Sequence, residues 1–159
     1  MARPNYPLEA LRKLRDERAD AQVRALAEQV ARCQAAEARV RERERARREH
    51  AEHVAESLRV EQARLAAGGV TGADLLRVSD FEAAARLQAD LLERAEAEAR
   101  EVLQRERAAR EAQRQKLAEL EAEAELVRKH EADFREQHAQ AAQKAEEEAA
   151  LEQWNARRH

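Results

Sequence analysis

The chain has 159 residues, of which 40 % are charged and 3 % aromatic, and its formal net charge is −3. Much of its apolar content is alanine, which buries little area, so the composition excludes an ordinary globular core and is typical of long helices sharing a thin seam. The small net charge excludes bulk electrostatic attraction to nucleic acid or anionic lipid. No apolar run approaches the ~20 residues of a membrane span, and the N-terminal residues lack the apolar stretch of a secretory signal. The one cysteine, Cys33, fits a reducing compartment. We therefore expect a cytoplasmic protein without direct membrane insertion.

The first predicted element is a helix over about residues 7–67. Pro7 suits a first helical position, and no glycine or proline follows before Gly68. Residues then recur at the four- and three-residue spacing of a coiled-coil seam, and eight of the twelve positions are apolar. The seam positions are Leu26, Val30, Cys33, Glu37, Val40, Glu44, Arg47, Ala51, Val54, Leu58, Glu61 and Leu65.

A turn is predicted over residues 68–72, which contain every glycine of the chain. Gly68 and Gly69 can supply the positive φ that ends a helix. Thr71 with Asp74 has the spacing of a capping box, and Ser79 with Glu82 is a second one. We therefore expect a short helical turn over residues 73–78, followed by a second main helix over about residues 79–156.

The second helix repeats the seam spacing and contains no glycine or proline. Because it is longer than the first, its C-terminal part should overhang. Its predicted seam positions are Leu92, Ala95, Ala99, Val102, Glu106, Ala109, Gln113, Leu117, Leu120, Ala124, Val127, Glu131, Phe134, His138, Ala141 and Ala145.

The predicted fold is all-α, a single long antiparallel two-helix coiled-coil hairpin over residues 1–159 with an overhanging C-terminal helix. Residues 1–64 carry 15 Lys/Arg against 12 Asp/Glu, a net of +3, whereas residues 65–159 carry 15 against 21, a net of −6. Opposite signs weakly favour pairing of the two helices within one chain. A parallel dimer through the same seam is the alternative, and the midway Gly-Gly reversal argues against it.

No catalytic or metal-binding motif is recognisable. The chain lacks a glycine-rich phosphate loop and a nucleophile elbow, and Cys33 lies on the seam, where packing is its expected role. His50 and His53 could share a helix face, but a closed metal site needs about four ligands. The mixed-sign run 41–48 is typical of a solvated helix with local ion pairs. We expect a protein that is not an enzyme, needs no cofactor and binds no nucleic acid.

Tyr6 and Trp154 should lie at the open end of the hairpin, where the seam has little to cover them. An exposed tryptophan near a helix end is a reasonable anchor for a partner protein. Packing of each ring on its own neighbours is an equal alternative.

The layout resembles a known family. The chain starts its first helix with Tyr-Pro-Leu-Glu-Ala-Leu-Arg-Lys-Leu-Arg (6–15), turns at glycines, continues with Ala-Asp-Leu-Leu-Arg-Val-Ser-Asp-Phe (73–81) and ends in a basic tail. This layout resembles the flagellar export protein FliJ and its injectisome counterpart YscO, over nearly the whole chain. The resemblance implies the central stalk of a type III secretion ATPase.

The resemblance also implies partners and contact residues. The open end would insert into the hexameric export ATPase ring, and the turn end would reach the export-gate membrane protein at the cytoplasmic base of the apparatus. Export chaperones would be further partners, and the free protein would be a monomer. The implied ring-facing residues are Leu8, Leu11, Leu14, Arg15, Arg18, Trp154, Arg157 and Arg158. The implied gate-facing residues are Val54, Leu58, Phe81 and Ala85; Val54 and Leu58 stand where the family often has aromatics.

Two other functions remain open at this point. A peripheral stalk or other structural coiled-coil spacer would act as a dimer with its seam shared between chains. A nucleic-acid-associated helical rod is the third possibility, and the net charge of −3 argues against it.

Overall fold

The computed structural model describes residues 5–158, which form two helices, α1 (Glu9–Ala66) and α2 (Gly72–Arg158), and no strand. The two long helices pack against each other, so the predicted all-α hairpin is confirmed. Within residues 5–158, neither helix has a stretch long and apolar enough to cross a membrane.

The turn is built by two glycines in the left-handed region, Gly68 at φ 97° and Gly69 at φ 78°. At the end of α1, the amides of Ala67 and Gly68 donate to the carbonyls of Arg64 and Leu65, each at 3.3 Å. A side chain at either glycine would be strained, because L-residues rarely adopt positive φ. The chain therefore reverses where the sequence predicts it.

The start of α2 is held by Asp74, which closes a capping box with Thr71. The Asp74 carboxylate accepts hydrogen bonds from the Thr71 amide at 2.9 Å and the Thr71 hydroxyl at 2.7 Å, and the Asp74 amide donates to that hydroxyl at 3.2 Å. Arg64 and Arg77 form ion pairs with the same carboxylate. These hydrogen bonds, those from Thr71 first, hold the pKa of Asp74 well below its usual range.

The predicted break between residues 73–78 and a helix from Ser79 is wrong. Helix α2 runs from Gly72 through Ser79 without interruption. The Thr71–Asp74 box already satisfies amides of the first turn, so Ser79 stands exposed inside the helix and caps nothing.

The contacts of the chain fall into two compact units instead of one continuous group. One unit combines the N-terminal residues through Ala27 with the residues from Ala112 onward, and the other comprises Glu28–Glu111. Each unit contains a segment of α1 and a segment of α2. In each unit, residues farther along α1 contact residues nearer the start of α2. In the first unit, for example, Asp16 contacts Arg128, whereas Gln22 contacts Gln113. The two segments are therefore antiparallel.

The unit Glu28–Glu111 has a small apolar core of Ala36, Val40 and Leu103, with Ala99 packed against it. The predicted seam position Val102 is 37 % exposed, whereas its neighbour Leu103 is 8 % exposed. The predicted seam position Ala99 does pack on the core, so the predicted spacing is one residue out at Val102 and not throughout this part of α2.

Polar contacts cross between the helices of the same unit. Buried Gln29 donates its amide to the Glu106 carbonyl at 3.1 Å. Ion pairs then connect Glu37 with Arg107 and Glu44 with Arg100, each at 3.0 Å. The Glu96 carboxylate is buried between Arg47 of α1, at 2.8 Å, and Arg100 of its own helix, at 2.7 Å.

In the other unit, Ala19 and Ala124 are buried, and buried Gln22 donates to the Gln113 carbonyl at 3.1 Å. Flanking ion pairs connect Arg12 with Glu131 at 3.1 Å, Asp16 with Arg128 at 2.8 Å, and Arg15 with Glu123.

Tyr6 is 4 % exposed, so the expectation that the seam leaves it uncovered is wrong. Its hydroxyl lies 2.9 Å from His130 Nδ1 and its ring centroid 5.5 Å from that of Phe134. This burial raises the pKa of the Tyr6 hydroxyl, and the nearby Glu131 carboxylate adds to the effect.

Replacing Asp74 should expose the pH dependence of the turn. Because the folded-state pKa of Asp74 is depressed, its contribution to stability is present above the unfolded value of ~3.9 and is lost as pH falls toward the folded value. Asp74→Asn should lower the unfolding midpoint at pH 7, and the deficit should shrink as pH falls below about 4. Urea unfolding followed by circular dichroism measures this. Asp80→Asn, at an exposed site of the same helix, is the matched control; an equal effect there would refute the capping assignment.

Buried Gln22 and half-buried Gln113 should behave as a coupled pair. Gln22→Ala should reduce the unfolding free energy by about 1–2 kcal/mol, because the Gln113 side chain loses its buried partner. Gln22→Leu combined with Gln113→Leu should come within about 1 kcal/mol of wild type, because both polar groups are then removed together. Urea unfolding of the singles and the double gives the coupling energy. Additive losses would contradict a coupled pair.

Candidate protein-binding surfaces

The four residues assigned to the turn end, Val54, Leu58, Phe81 and Ala85, come together in two grooves beside the seam. The first turn groove, of about 550 Å³, is lined by Val54, Leu58 and Ala85 among others. The second turn groove, of about 470 Å³, is lined by Leu58 and Phe81 together with Val60, Val78 and polar neighbours.

Small side chains open the first turn groove. Val54 and Leu58 are one helical turn apart on α1, and opposite them α2 presents Ala85 and Ala89, which fill little volume. Apolar walls bordered by charged groups suit the apolar side chains of a partner helix.

The histidines flagged by the sequence have structural positions in these grooves. His50 is half-buried, and its Nε2 lies 3.0 Å from the Ala85 carbonyl oxygen, so the ring makes a contact between the helices. His53 lines the second turn groove. Over residues 5–158 there is no group of three or more His, Cys, Asp or Glu side chains placed to hold a metal ion.

The outer face of α2 carries an apolar stripe that the sequence analysis missed. Leu76, Leu87 and Leu91 are 66, 64 and 50 % exposed. Their spacing of eleven and four residues places them on one face, roughly opposite the buried positions Ala85 and Leu103. The intervals between these leucines are visible in the sequence, but a template with one apolar stripe on each helix does not include them.

The predicted ring-facing residues near the start of the chain are Leu8, just before α1, and residues at three- and four-residue intervals on one side of α1. Leu8 and Leu14 are 40 and 42 % exposed, and Leu11 is half-buried. Arg18 is exposed, whereas Arg15 is held in an ion pair with Glu123 of α2.

The predicted ring-facing residues of α2 lie far from those of α1. Every residue from Arg135 to Arg158, called the C-terminal extension below, is exposed. Trp154 is 54 % exposed, and the Arg158 guanidinium stacks 4.5 Å from its ring centroid. Twenty residues, about 30 Å of helix, separate Trp154 from Phe134, where α2 meets Tyr6. Trp154, Arg157 and Arg158 are thus separated from the Leu8–Leu14 surface.

Comparison of the chain with protein-family models, with curated proteins and with solved structures found no match.

The C-terminal extension should contribute almost nothing to the stability of the hairpin. Trp154→Ala should change the unfolding free energy by less than about 0.5 kcal/mol, because the ring is 54 % exposed and stacks on the guanidinium of Arg158. Leu103→Ala, in the apolar core, should cost about 2 kcal/mol or more. Trp154 is the only tryptophan, so its emission should also show a water-exposed ring. A large loss of stability in Trp154→Ala would show that the extension packs on something.

Proposed function

We propose that this chain is the central stalk of a type III protein secretion apparatus, a cytoplasmic, non-catalytic protein of the FliJ/YscO type. In this function, it inserts into the hexameric export ATPase ring and links that ring to the export-gate membrane protein. It stimulates the ATPase without hydrolysing ATP, and it also contacts export chaperones.

The observation that carries the proposal is the C-terminal extension. A helix exposed on all sides from Arg135 to Arg158, with Trp154 and two arginines near its end, is suited to insertion into a ring that surrounds it. The ring would supply the contacts that residues 5–158 do not. Because Trp154 lies about 30 Å along α2 from Phe134, where the N-terminal residues meet that helix, Trp154 and the leucines Leu8, Leu11 and Leu14 would contact the ring at different depths.

The surface charges are compatible with a stalk. Ion pairs such as Arg59–Glu56 and Arg105–Glu101 stand on exposed faces, where such pairs stabilise weakly and exchange readily with other partners. A stalk that must change contacts within a ring needs faces of this kind, since a continuous apolar face would adhere.

The turn grooves are the proposed contact for the export gate. Their apolar lining, including Val54, Leu58 and Phe81, can receive side chains from a partner. This part of the proposal extends the family resemblance to residues that lie together in the structure.

A structural spacer that acts as a dimer is the second candidate. The exposed stripe of Leu76, Leu87 and Leu91 favours it, because such a stripe could be covered by a second chain. Light scattering separates the candidates, since the stalk is expected to be a monomer when free.

The test is ATP hydrolysis by a purified type III secretion ATPase with and without this chain. The wild-type chain should promote ring assembly and raise turnover. Trp154→Ala combined with Arg157→Gln and Arg158→Gln should weaken half-maximal stimulation by about tenfold, as expected when an anchor side chain is lost. Lys144→Gln, on the same exposed extension, is the control and should stimulate normally. A stable dimer that affects no such ATPase would reject the stalk and leave the spacer.

A further inference from the structure

Three arginines of α1 form an exposed, unpaired stripe. Arg41, Arg45 and Arg48 are spaced four and three residues apart, so they share one face of the helix. The sequence predicts local ion pairs in this run, but within residues 5–158 none of the three has an ion pair or a hydrogen-bond partner. These residues are called the arginine stripe below.

The nearest carboxylates of α1 form ion pairs with arginines of α2 instead of with the stripe. Glu37 and Glu44 precede Arg41 and Arg48 by four residues, the favourable order for an ion pair within a helix. Glu37 instead pairs with Arg107, and Glu44 with Arg100, each at 3.0 Å. Pairing of the two helices thus removes the natural counterions of the stripe.

The other carboxylates nearby form no ion pair with the stripe. Glu42 precedes Arg45 by three residues, a spacing at which helical pairs form, but within residues 5–158 the two side chains are not paired. Glu49 and Glu52 follow Arg45 and Arg48 by four residues, which is the weaker order for such pairs. The stripe therefore has a local surplus of positive charge that is available to an outside partner.

The arginine stripe leads into the first turn groove. Arg41, Arg48 and Ala55 recur at seven-residue intervals and so lie along one face of α1. Ala55 and Ala51 line that groove of about 550 Å³. A basic surface and an apolar groove are therefore adjacent along one side of the unit Glu28–Glu111.

We propose that the arginine stripe and the first turn groove together bind an acidic amphipathic helix of a partner protein. In such a helix, carboxylates at positions i+4 and i+7 lie about 6 and about 10.5 Å along the helix axis from the carboxylate at position i. Arg45 and Arg48 lie at the same distances along α1 from Arg41. Each guanidinium can hold a carboxylate through two hydrogen bonds. Apolar residues farther along the partner helix enter the groove. The inference rests on the stripe and holds whether or not the chain is a secretion stalk.

The occupant is a helix and not a nucleic acid or a membrane surface. Glu42, Glu49 and Glu52 stand among the arginines, and they would repel a continuous row of phosphates. Helix α1 contains no aromatic residue on which a base could stack. A partner helix can place its carboxylates opposite the arginines of α1. It can also place basic residues opposite Glu42, Glu49 and Glu52.

Binding of three synthetic helices to the full chain tests the proposal. The peptides, of about six turns, share one alanine- and leucine-rich face and differ only at three positions spaced i, i+4 and i+7, which are all Glu, all Gln or all Lys. Fluorescence anisotropy with labelled peptides should give tightest binding for the Glu peptide, about tenfold weaker binding for the Gln peptide, and none for the Lys peptide. Affinity for the Glu peptide should fall as NaCl rises from about 0.05 to about 0.5 M.

Matched variants assign the binding to the stripe. Arg41→Gln combined with Arg45→Gln and Arg48→Gln should reduce affinity for the Glu peptide to that for the Gln peptide. Arg24→Gln, Arg32→Gln and Arg94→Gln together change the net charge equally at exposed positions outside the stripe and should leave binding unchanged. Circular dichroism verifies that both variants remain helical.

Three outcomes would overturn the proposal. Equal affinities for the Glu and Lys peptides, or no binding of either, would remove the acidic helix as occupant. Equal losses in both triple variants would reduce the effect to net charge. Tighter, stripe-dependent binding of a short DNA duplex or of phosphatidylserine vesicles would assign the stripe to phosphate groups instead. Failure to stimulate a secretion ATPase would affect only the proposed function, since no ATPase is present in this assay.

Discussion

In each compact unit of residues 5–158, a segment of α1 packs against a segment of α2 along one narrow seam, and this constraint governs the rest of the structure. Few large apolar side chains are buried, because a seam side chain meets only the helix opposite. Buried polar pairs therefore set the register of the helices. Gln22 pairs with Gln113, and Gln29 with both the carbonyl and the carboxylate of Glu106. A slip of one heptad toward Ala99 would keep a backbone carbonyl opposite Gln29 but remove the carboxylate that accepts from its amide.

Charged residues beside the seam also contribute to the pairing of the two helices. Arg107 and Arg100 of α2 reach across to glutamates of α1, so contacts that fix the pairing of the helices also change which charges α1 presents to solvent. A sequence-based count of helical ion pairs would assign those glutamates to Arg41 and Arg48. The surplus charge on α1 is thus a consequence of tertiary pairing that no single helix could show.

The helices, the glycine turn and the antiparallel pairing could be predicted, because periodicity and turn chemistry are local features of the sequence. The burial of Gln22 and Gln29 could not be predicted, because a search for apolar seam positions excludes glutamine. Their burial depends on hydrogen-bond acceptors in the other helix. Tyr6 was misplaced for a related reason, since its cover comes from His130 and Phe134, more than 120 residues away in sequence. The start of α2 was misjudged because two capping boxes compete, and local rules do not rank them.

A narrow seam also leaves large apolar side chains exposed to solvent. Leu87, Leu126 and Leu151 are 64, 69 and 61 % exposed, and none is needed to hold the hairpin together. Two paired helices meet along one line of contact, so the side chains on their outer faces take no part in it. Long exposed faces with isolated apolar and charged stripes instead suit contacts with other helices. The same narrow seam that holds the two helices together therefore leaves apolar and charged side chains exposed along both of them.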